Sequence, residues 1–345
     1  MDLTPAPSET AVRAAVVDAS PVVPVGAGTH EEVGGPVPRG TPVAAPTGIV
    51  TYDPAELTVT AWAGTTVGEL AAALGEHDQE CVLDPRDRRA TLGGLVAVGL
   101  SGHRRLRYGP LRDRVLEVRF VTGDGRLGRG GGPTVKNVTG FDLPRLLVGS
   151  FGTLGLLTRL ILRCQPRPRC ARWYRSPSDA ASTGAHLVAP STVAASPEGT
   201  WVLLEGDPAD VDAQAAAAGL APVDDGPAWP AGRHRGRISV RPGRLPDLVP
   251  TIDALEQVRW LAEWGVGTVH VAAATETGLA SARAASEAAG GWLLREAGAP
   301  GLDGFGVALP NGDVVARVKA AFDPGGKLSP GRLPIAGPET RRAAS

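Results

Sequence analysis

The sequence predicts an α+β protein of two domains, and three observations carry that expectation. Residues 47–54 and 57–63 read as β segments, and residues 115–122 turn through GDG at 123–125 into a β-hairpin. Residues 165–169, QPRPR, interrupt the chain and mark a domain boundary. Beyond it, strand-like pieces at 201–205, 237–240 and 267–271 alternate with helical stretches at 209–218, 248–264 and 279–289, the pattern of an α+β domain on an antiparallel sheet. A chain of 345 residues is long enough for two cores.

In chain order, residues 9–18 suit an amphipathic helix leading into an apolar strand at 21–25. The turn GAGTH at 26–30 follows. A strand ending in G-x-G opens a dinucleotide fingerprint, but the third glycine is missing and 31–38, EEVGGPVP, cannot start a helix, which disfavours a nicotinamide-type unit. What is left is either a plain surface turn or a nest of N–H groups able to hold phosphate. Residues 67–74 read as a helix capped by Thr66, with leucine and alanine for the core. Thr91 is placed to cap a short helix with Gly93 and Gly94 in its first turn, where unpaired N–H groups suit a pyrophosphate; the competing reading is a buried helix of small residues packed on a sheet. Residues 101–109 carry His103, Arg104, Arg105, Arg107 and Tyr108, groups for phosphate or for solvent. Residues 143–148 read as helical and 156–163 as a strand, with the glycine piece before it a strand–turn–strand junction. Residues 311–322 form a last helix and 323–332, DPGGKLSPGR, a turn-rich tail.

Glycine is densest at 91–102, TLGGLVAVGLSG, and 148–155, VGSFGTLG. It is costly to order, so a compact domain keeps it where backbone takes positive φ or approaches another group closely. Together with 25–29, VGAGT, these stretches are candidates to wrap the pyrophosphate and adenosine of a flavin dinucleotide.

Composition narrows the classes. A net charge of -1 implies no general attraction to nucleic acid or to an anionic membrane. The three cysteines, Cys81, Cys164 and Cys170, have no C-x-x-C spacing, so neither a metal nor an iron–sulfur cluster is expected in this chain, and reduced thiols point to the cytoplasm. Neither a signal peptide nor an apolar run of about 18 residues is found, so no transmembrane segment is expected. NVT at 137–139 matches a glycosylation sequon by chance in an unsecreted protein.

Five stretches in order then carry a family likeness: ATLGG at 90–94; GLSG at 99–102 with Arg105 and YGP at 108–110; KNVTGFD at 136–142; GSFGTLG at 149–155; and AAFDPGGKLSPGR at 320–332. The chain resembles the PCMH-type FAD-binding flavoproteins of the vanillyl-alcohol oxidase family, and within it the branch of the glycolate oxidase FAD-binding subunit. The likeness is dense from about 21 to 168, thin across 169–290, and returns at the tail. It implies a two-part FAD-binding domain at 1–168, an α+β cap at 169–310, and a C-terminal helix and tail at 311–345 that folds back onto the flavin side. By position, Gly26, Ala27, Gly28 and Thr29 belong to a first pyrophosphate loop, and Thr91, Leu92, Gly93, Gly94, Ser101 and Gly102 to a second. Gly149, Gly152, Thr153, Leu154 and Gly155 lie along the adenosine. Related lactate-type dehydrogenases carry Glu where Phe151 stands, which favours the glycolate oxidase branch. That branch places His after a glycine pair near the end of the cap, whereas Trp292 follows Gly290 and Gly291 here. His30 and His103 stand in no linking motif, so non-covalent FAD is expected.

The implied reaction is oxidation of a small 2-hydroxy acid, with hydride passing to the flavin, a base taking the hydroxyl proton and an arginine holding the carboxylate. His234, His270, Arg237 and Arg241 are the cap residues of suitable type. The alternative is a non-catalytic subunit that relays electrons or supports assembly beside a homologous FAD subunit and an iron–sulfur subunit. The expected location is the cytoplasm, with attachment to the inner membrane only through such partners.

Overall fold

The computed structural model describes residues 7–36, 39–133, 141–306 and 311–333. Residues 136–140 of the third family stretch, the sequon within them, and the tail beyond 333 lie outside the described residues. The architecture is α+β. Strands Ile49–Asp53, Thr58–Trp62, Leu156–Arg163, Val115–Val121 and Leu127–Gly131 form a five-stranded antiparallel sheet in that order. Helices Val67–Gly75 and Leu92–Val98 close one side of it, burying Leu70, Leu74, Leu92 and Leu95 against Val118, Phe120, Leu160 and Leu162. The first helix starts on a capping box between Thr66 and Glu69.

A separate parallel pair, Val22–Val25 with Thr41–Ala44, lies beside helix Pro7–Asp18 around Val12, Val16 and Leu156. The tail completes this unit: Leu328 bridges to Val22 and is fully buried, and Lys327 Nζ donates to the carbonyl of Val17 at 3.2 Å.

An eight-stranded antiparallel sheet spans Cys170 to Ala297, with the order Ala221–Val223, Cys170–Ser176, Gly199–Gly206, Thr192–Ser196, Val258–Glu263, Thr268–Ala273, His234–Ser239 and Trp292–Ala297. Helices Leu245–Asp253 and Glu276–Ala288 cover one face over Ile238, Trp260, Val269, Val271 and Leu293. Alternation along each strand sends Arg235, Arg237, Glu263, His270, Leu294 and Glu296 to the other face, toward the five-stranded unit.

The expected helix at 248–264 is corrected. It ends at Asp253, Gln257 turns at φ 59°, and residues 258–263 are a strand paired along its length with Thr268–Ala273. The glycine piece at 148–155 joins helix Leu143–Leu147 to a strand, so it is a helix–turn–strand junction. Among the described residues no helix is long and apolar enough to cross a membrane.

Candidate functional site

The three glycine stretches converge. One groove is lined by Pro24 to Glu31, by Thr91, Gly93, Gly94, Ala97 and Val98, and by Phe151, Gly152 and Gly155, with Ala63, Gly64 and Arg332 completing the wall. It encloses about 950 Å³, its open mouth included, within the range of cofactor clefts. The stretches touch one another through missing side chains. A Cβ on Gly26 would lie 2.4 Å from Thr91 Oγ1, one on Gly99 3.2 Å from the Gly149 nitrogen, and one on Gly152 3.0 Å from Pro24 Cγ. Phe151, at φ 54°, holds a conformation rare for a bulky residue, and its ring packs on Gly34.

The donors of this groove come from the first loop. Among the described residues none accepts from the N–H groups of Ala27, Gly28 or Thr29, and Gly28 is exposed at φ 74°. At the helix after Thr91 the expectation of unpaired donors is corrected. Leu92 N donates to Thr65 O at 2.8 Å, Gly93 N to Ala63 O at 2.7 Å, and Gly94 N to Thr91 Oγ1 at 3.2 Å. Gly93 is there for packing, since a Cβ would sit 3.0 Å from both the carbonyl and the side chain of Ala63.

Arg332 supplies the charge that the sequence reading did not single out. Its guanidinium donates to Val33 O at 2.7 Å, to Gly35 O at 3.1 Å and to Glu31 O, all neutral acceptors. Burial, reinforced by the nearby Arg295, lowers its pKa to about 10, and it stays cationic at neutral pH in the groove wall. Exposed donors, a wall rich in glycine and a guanidinium bonded to backbone carbonyls fit a dinucleotide's pyrophosphate.

Not every residue named from the family pattern reaches the groove. Leu92 and Leu154 are core. Gly149 packs under Gly99, and Gly102 packs on Asp84, where a Cβ would meet backbone at 2.2 Å. Thr153 is buried, its hydroxyl donating to Ser150 O and its carbonyl accepting from Lys319 Nζ. Ser101 lines a neighbouring cavity instead.

That second cavity shares Thr29, His30 and Val33 with the groove and reaches Arg86, Trp229, Arg235, His270 and Glu296. Arg86 reaches from the loop after Asp84 to the eight-stranded sheet, with Nη1 2.9 Å from Glu296 and Nη2 2.6 Å from His270 Nδ1, its guanidinium 4.5 Å above the Trp229 ring. An arginine only donates, so Nδ1 accepts and Nε2 of His270 carries the proton, 3.6 Å from Glu263. His103 Nδ1 lies 3.4 Å from the other Glu263 oxygen, and its ring stacks on Trp229 at 3.9 Å. Burial pushes the Glu263 carboxyl up, but the two imidazoles beside it more than reverse this and hold it at about 2. Burial keeps His270 below its ordinary value, and the Arg86 charge adds to that. Arg237 stands beside His270 in register, its Nε buried without a hydrogen-bond partner, and burial lowers its pKa.

Two cap candidates are corrected. His234 Nδ1 accepts from the Ala299 N–H at 2.8 Å, so this side chain fixes a turn behind the sheet. Arg241 is exposed before a short 3-10 turn, away from both cavities. Arg86, Glu263, Glu296 and Trp229 were missed, because acidic strand residues and a lone tryptophan carry no motif.

Comparison with known proteins bears on the groove. Residues 5–131 match the family described as FAD binding domain. The chain is similar to glycolate oxidase subunit GlcE of Escherichia coli (strain K12), 44% identical over 163 residues that make up 46% of this chain and 47% of the relative. It is also similar to a D-lactate dehydrogenase of Archaeoglobus fulgidus, 40% identical over 107 residues, 31% of this chain and 24% of the relative. The chain thus spans about half the length of these curated relatives, or less. Among solved structures, alkyldihydroxyacetonephosphate synthase superposes with a TM-score of 0.66 at 16% identity, over 94% of this chain and 75% of the other, a likeness of fold. With an FAD-binding domain matched over residues 5–131, a groove that fits a dinucleotide and this fold around it, the chain carries an FAD-binding domain, and its cofactor is FAD.

Proposed function

We propose that the chain is the FAD-binding subunit of a 2-hydroxy acid oxidoreductase of the glycolate oxidase kind. The observation that carries this is the continuity of the two cavities: Thr29, His30 and Val33 line both, so the cofactor groove opens onto a charged face of the cap sheet. In this reading residues 1–168 and the tail from 311 hold the flavin, and 169–310 form the cap. The N–H groups of Ala27, Gly28 and Thr29 donate to the pyrophosphate, Arg332 offsets its charge, and Gly26, Thr91, Gly93, Gly94, Gly152 and Gly155 keep the wall low.

FAD, held in the groove by these residues, would supply the hydride acceptor for the substrate's carbinol carbon. The chain's own residues supply the rest. Arg86 and Arg235, which line the second cavity beside Asp84, Asp87 and Glu296, are its guanidinium groups for a carboxylate, Arg237 stands next to His270 in the strand register, and His270 is the group positioned to take the hydroxyl proton. A 2-oxo acid is the product. Two relatives are named as subunits of glycolate oxidase, and a homologous flavin subunit and an iron–sulfur subunit are the partners that fit, in a cytoplasmic assembly that meets the inner membrane through them.

One observation favours a second reading, a subunit that holds flavin only for electron relay or assembly: the Nδ1 lone pair of His270 is already taken by Arg86. Anaerobic titration of the purified yellow chain with glycolate and with D-lactate decides between them. Bleaching of the flavin without partners is the expected outcome. A yellow protein that neither acid bleaches is the relay, and a colourless one that takes up no FAD removes both readings.

A further inference from the structure

We propose that Arg86 is a carboxylate-operated latch on His270. This rests on the assignment of the second cavity to a 2-hydroxy acid and extends it. With Arg86 Nη2 on Nδ1 at 2.6 Å and the Nε2 proton turned toward Glu263, the imidazole has no lone pair for a substrate hydroxyl. Arg86 is also free to leave. It stands on the loop that follows Asp84 on the flavin side, its side chain is 30% exposed, and it lines the cavity.

Glu296 does not depend on Arg86 alone. Burial pushes its carboxyl up, and Arg86, His270, Arg237 and Arg235 together bring it below the ordinary value. Arg237 keeps a buried Nε without a partner, so a second guanidinium is in place to face Glu296 once Arg86 turns away. His270 is faced by Arg86 from the loop, by Glu263 and Arg237 from its two neighbouring strands, by Glu296 from the edge strand and by the edge of Trp229. Of these, Arg86 alone occupies Nδ1.

An entering carboxylate offers Arg86 a planar, charged, two-oxygen partner, a stronger acceptor than a neutral imidazole. Drawn onto it, Arg86 leaves Nδ1 open in the cavity that now holds the substrate. The same residue binds the anion and unmasks the base, and an uncharged alcohol meets a closed imidazole.

The test uses the flavin-loaded full chain labelled with 15N-histidine, with the His270 signals assigned through His270→Asn, and oxalate as a carboxylate that carries no hydride to lose. In the wild type, oxalate shifts the Nδ1 resonance of His270 as the Arg86 contact is lost. In Arg86→Gln the Nδ1 resonance is shifted before oxalate is added, and oxalate binds about ten- to a hundredfold more weakly, the loss of one charged hydrogen-bonding group. Glu296→Gln, which removes the other anchor of Arg86, binds oxalate more tightly than the wild type. An unchanged Nδ1 signal on oxalate binding, or wild-type affinity in both variants, overturns the latch. None of these readouts needs turnover. If they hold while glycolate and D-lactate leave the flavin oxidised, the latch stands and the oxidation assignment falls; if Arg86→Gln is bleached at the wild-type rate, the reverse is true.

Discussion

Gly26 and Arg332 show how little of the cofactor groove depends on ordinary side-chain contacts. An added methyl at Gly26 would press on the hydroxyl of Thr91, which caps the adjacent helix. Gly26→Ala is therefore expected to lower flavin retention while leaving the rest of the fold intact, measured as the ratio of 450 nm to 280 nm absorbance against far-UV circular dichroism. Arg332→Met removes the guanidinium of the groove wall, and FAD affinity is expected to fall about ten- to a hundredfold by flavin fluorescence titration. In the cap, two depressed pKa values set an acid limit. Glu263 is held at about 2 against an ordinary 4.5, so its contribution, of order 3 kcal/mol, is full above the ordinary value and is lost as pH falls toward 2. His270 is held below 6.5, so the unfolded chain takes up the proton first, and stability falls as pH drops below that value. Both act in the same direction. Urea midpoints should decline from pH 7 to pH 3, with His270→Asn flattening the upper part and Glu263→Gln the lower; a midpoint independent of pH contradicts both.

Among elements, those that carry their own punctuation were legible and those defined by partners were not. The helix after Thr66 and the one after Thr91 were found from their caps, and the hairpin at 115–127 from its glycine turn. Strand Val258–Glu263 was hidden because VRWLAE has the composition of a helix, and only pairing on both sides with Thr192–Ser196 and Thr268–Ala273 makes it a strand. The groove was legible as glycine density, but the reason at Gly93 was a close approach of backbone to Ala63, which no spacing rule distinguishes from phosphate binding. The cap site was legible only at His270 and Arg237, since Arg86, Trp229, Glu263 and Glu296 gather from four separate stretches. Helix Pro7–Asp18 shows the same dependence on partners. Its Glu9 is fully buried, pairs with Arg119 at 3.0 Å and accepts from Thr158 Oγ1. Arg119→Leu removes the guanidinium 3.0 Å from that buried carboxylate, and a loss of about 3–5 kcal/mol in urea unfolding is expected.

At the scale of the whole molecule, the tail links two units that the sequence order separates. Leu328 lies in the small core with Val12, Val22 and Val43, Lys319 reaches Thr153 O and Leu328 O, and Arg332 enters the groove from the far end of the chain. Truncation after residue 310 is accordingly expected to yield a protein that loses FAD on gel filtration, while an intact chain of the same preparation keeps it.

The cap sheet is thus an insertion whose two ends are both fixed in the flavin-holding unit. During synthesis the ribosome releases the loop at 26–29 early and Arg332 only after the entire cap has emerged. The groove that both line is therefore complete only once the cap has been made.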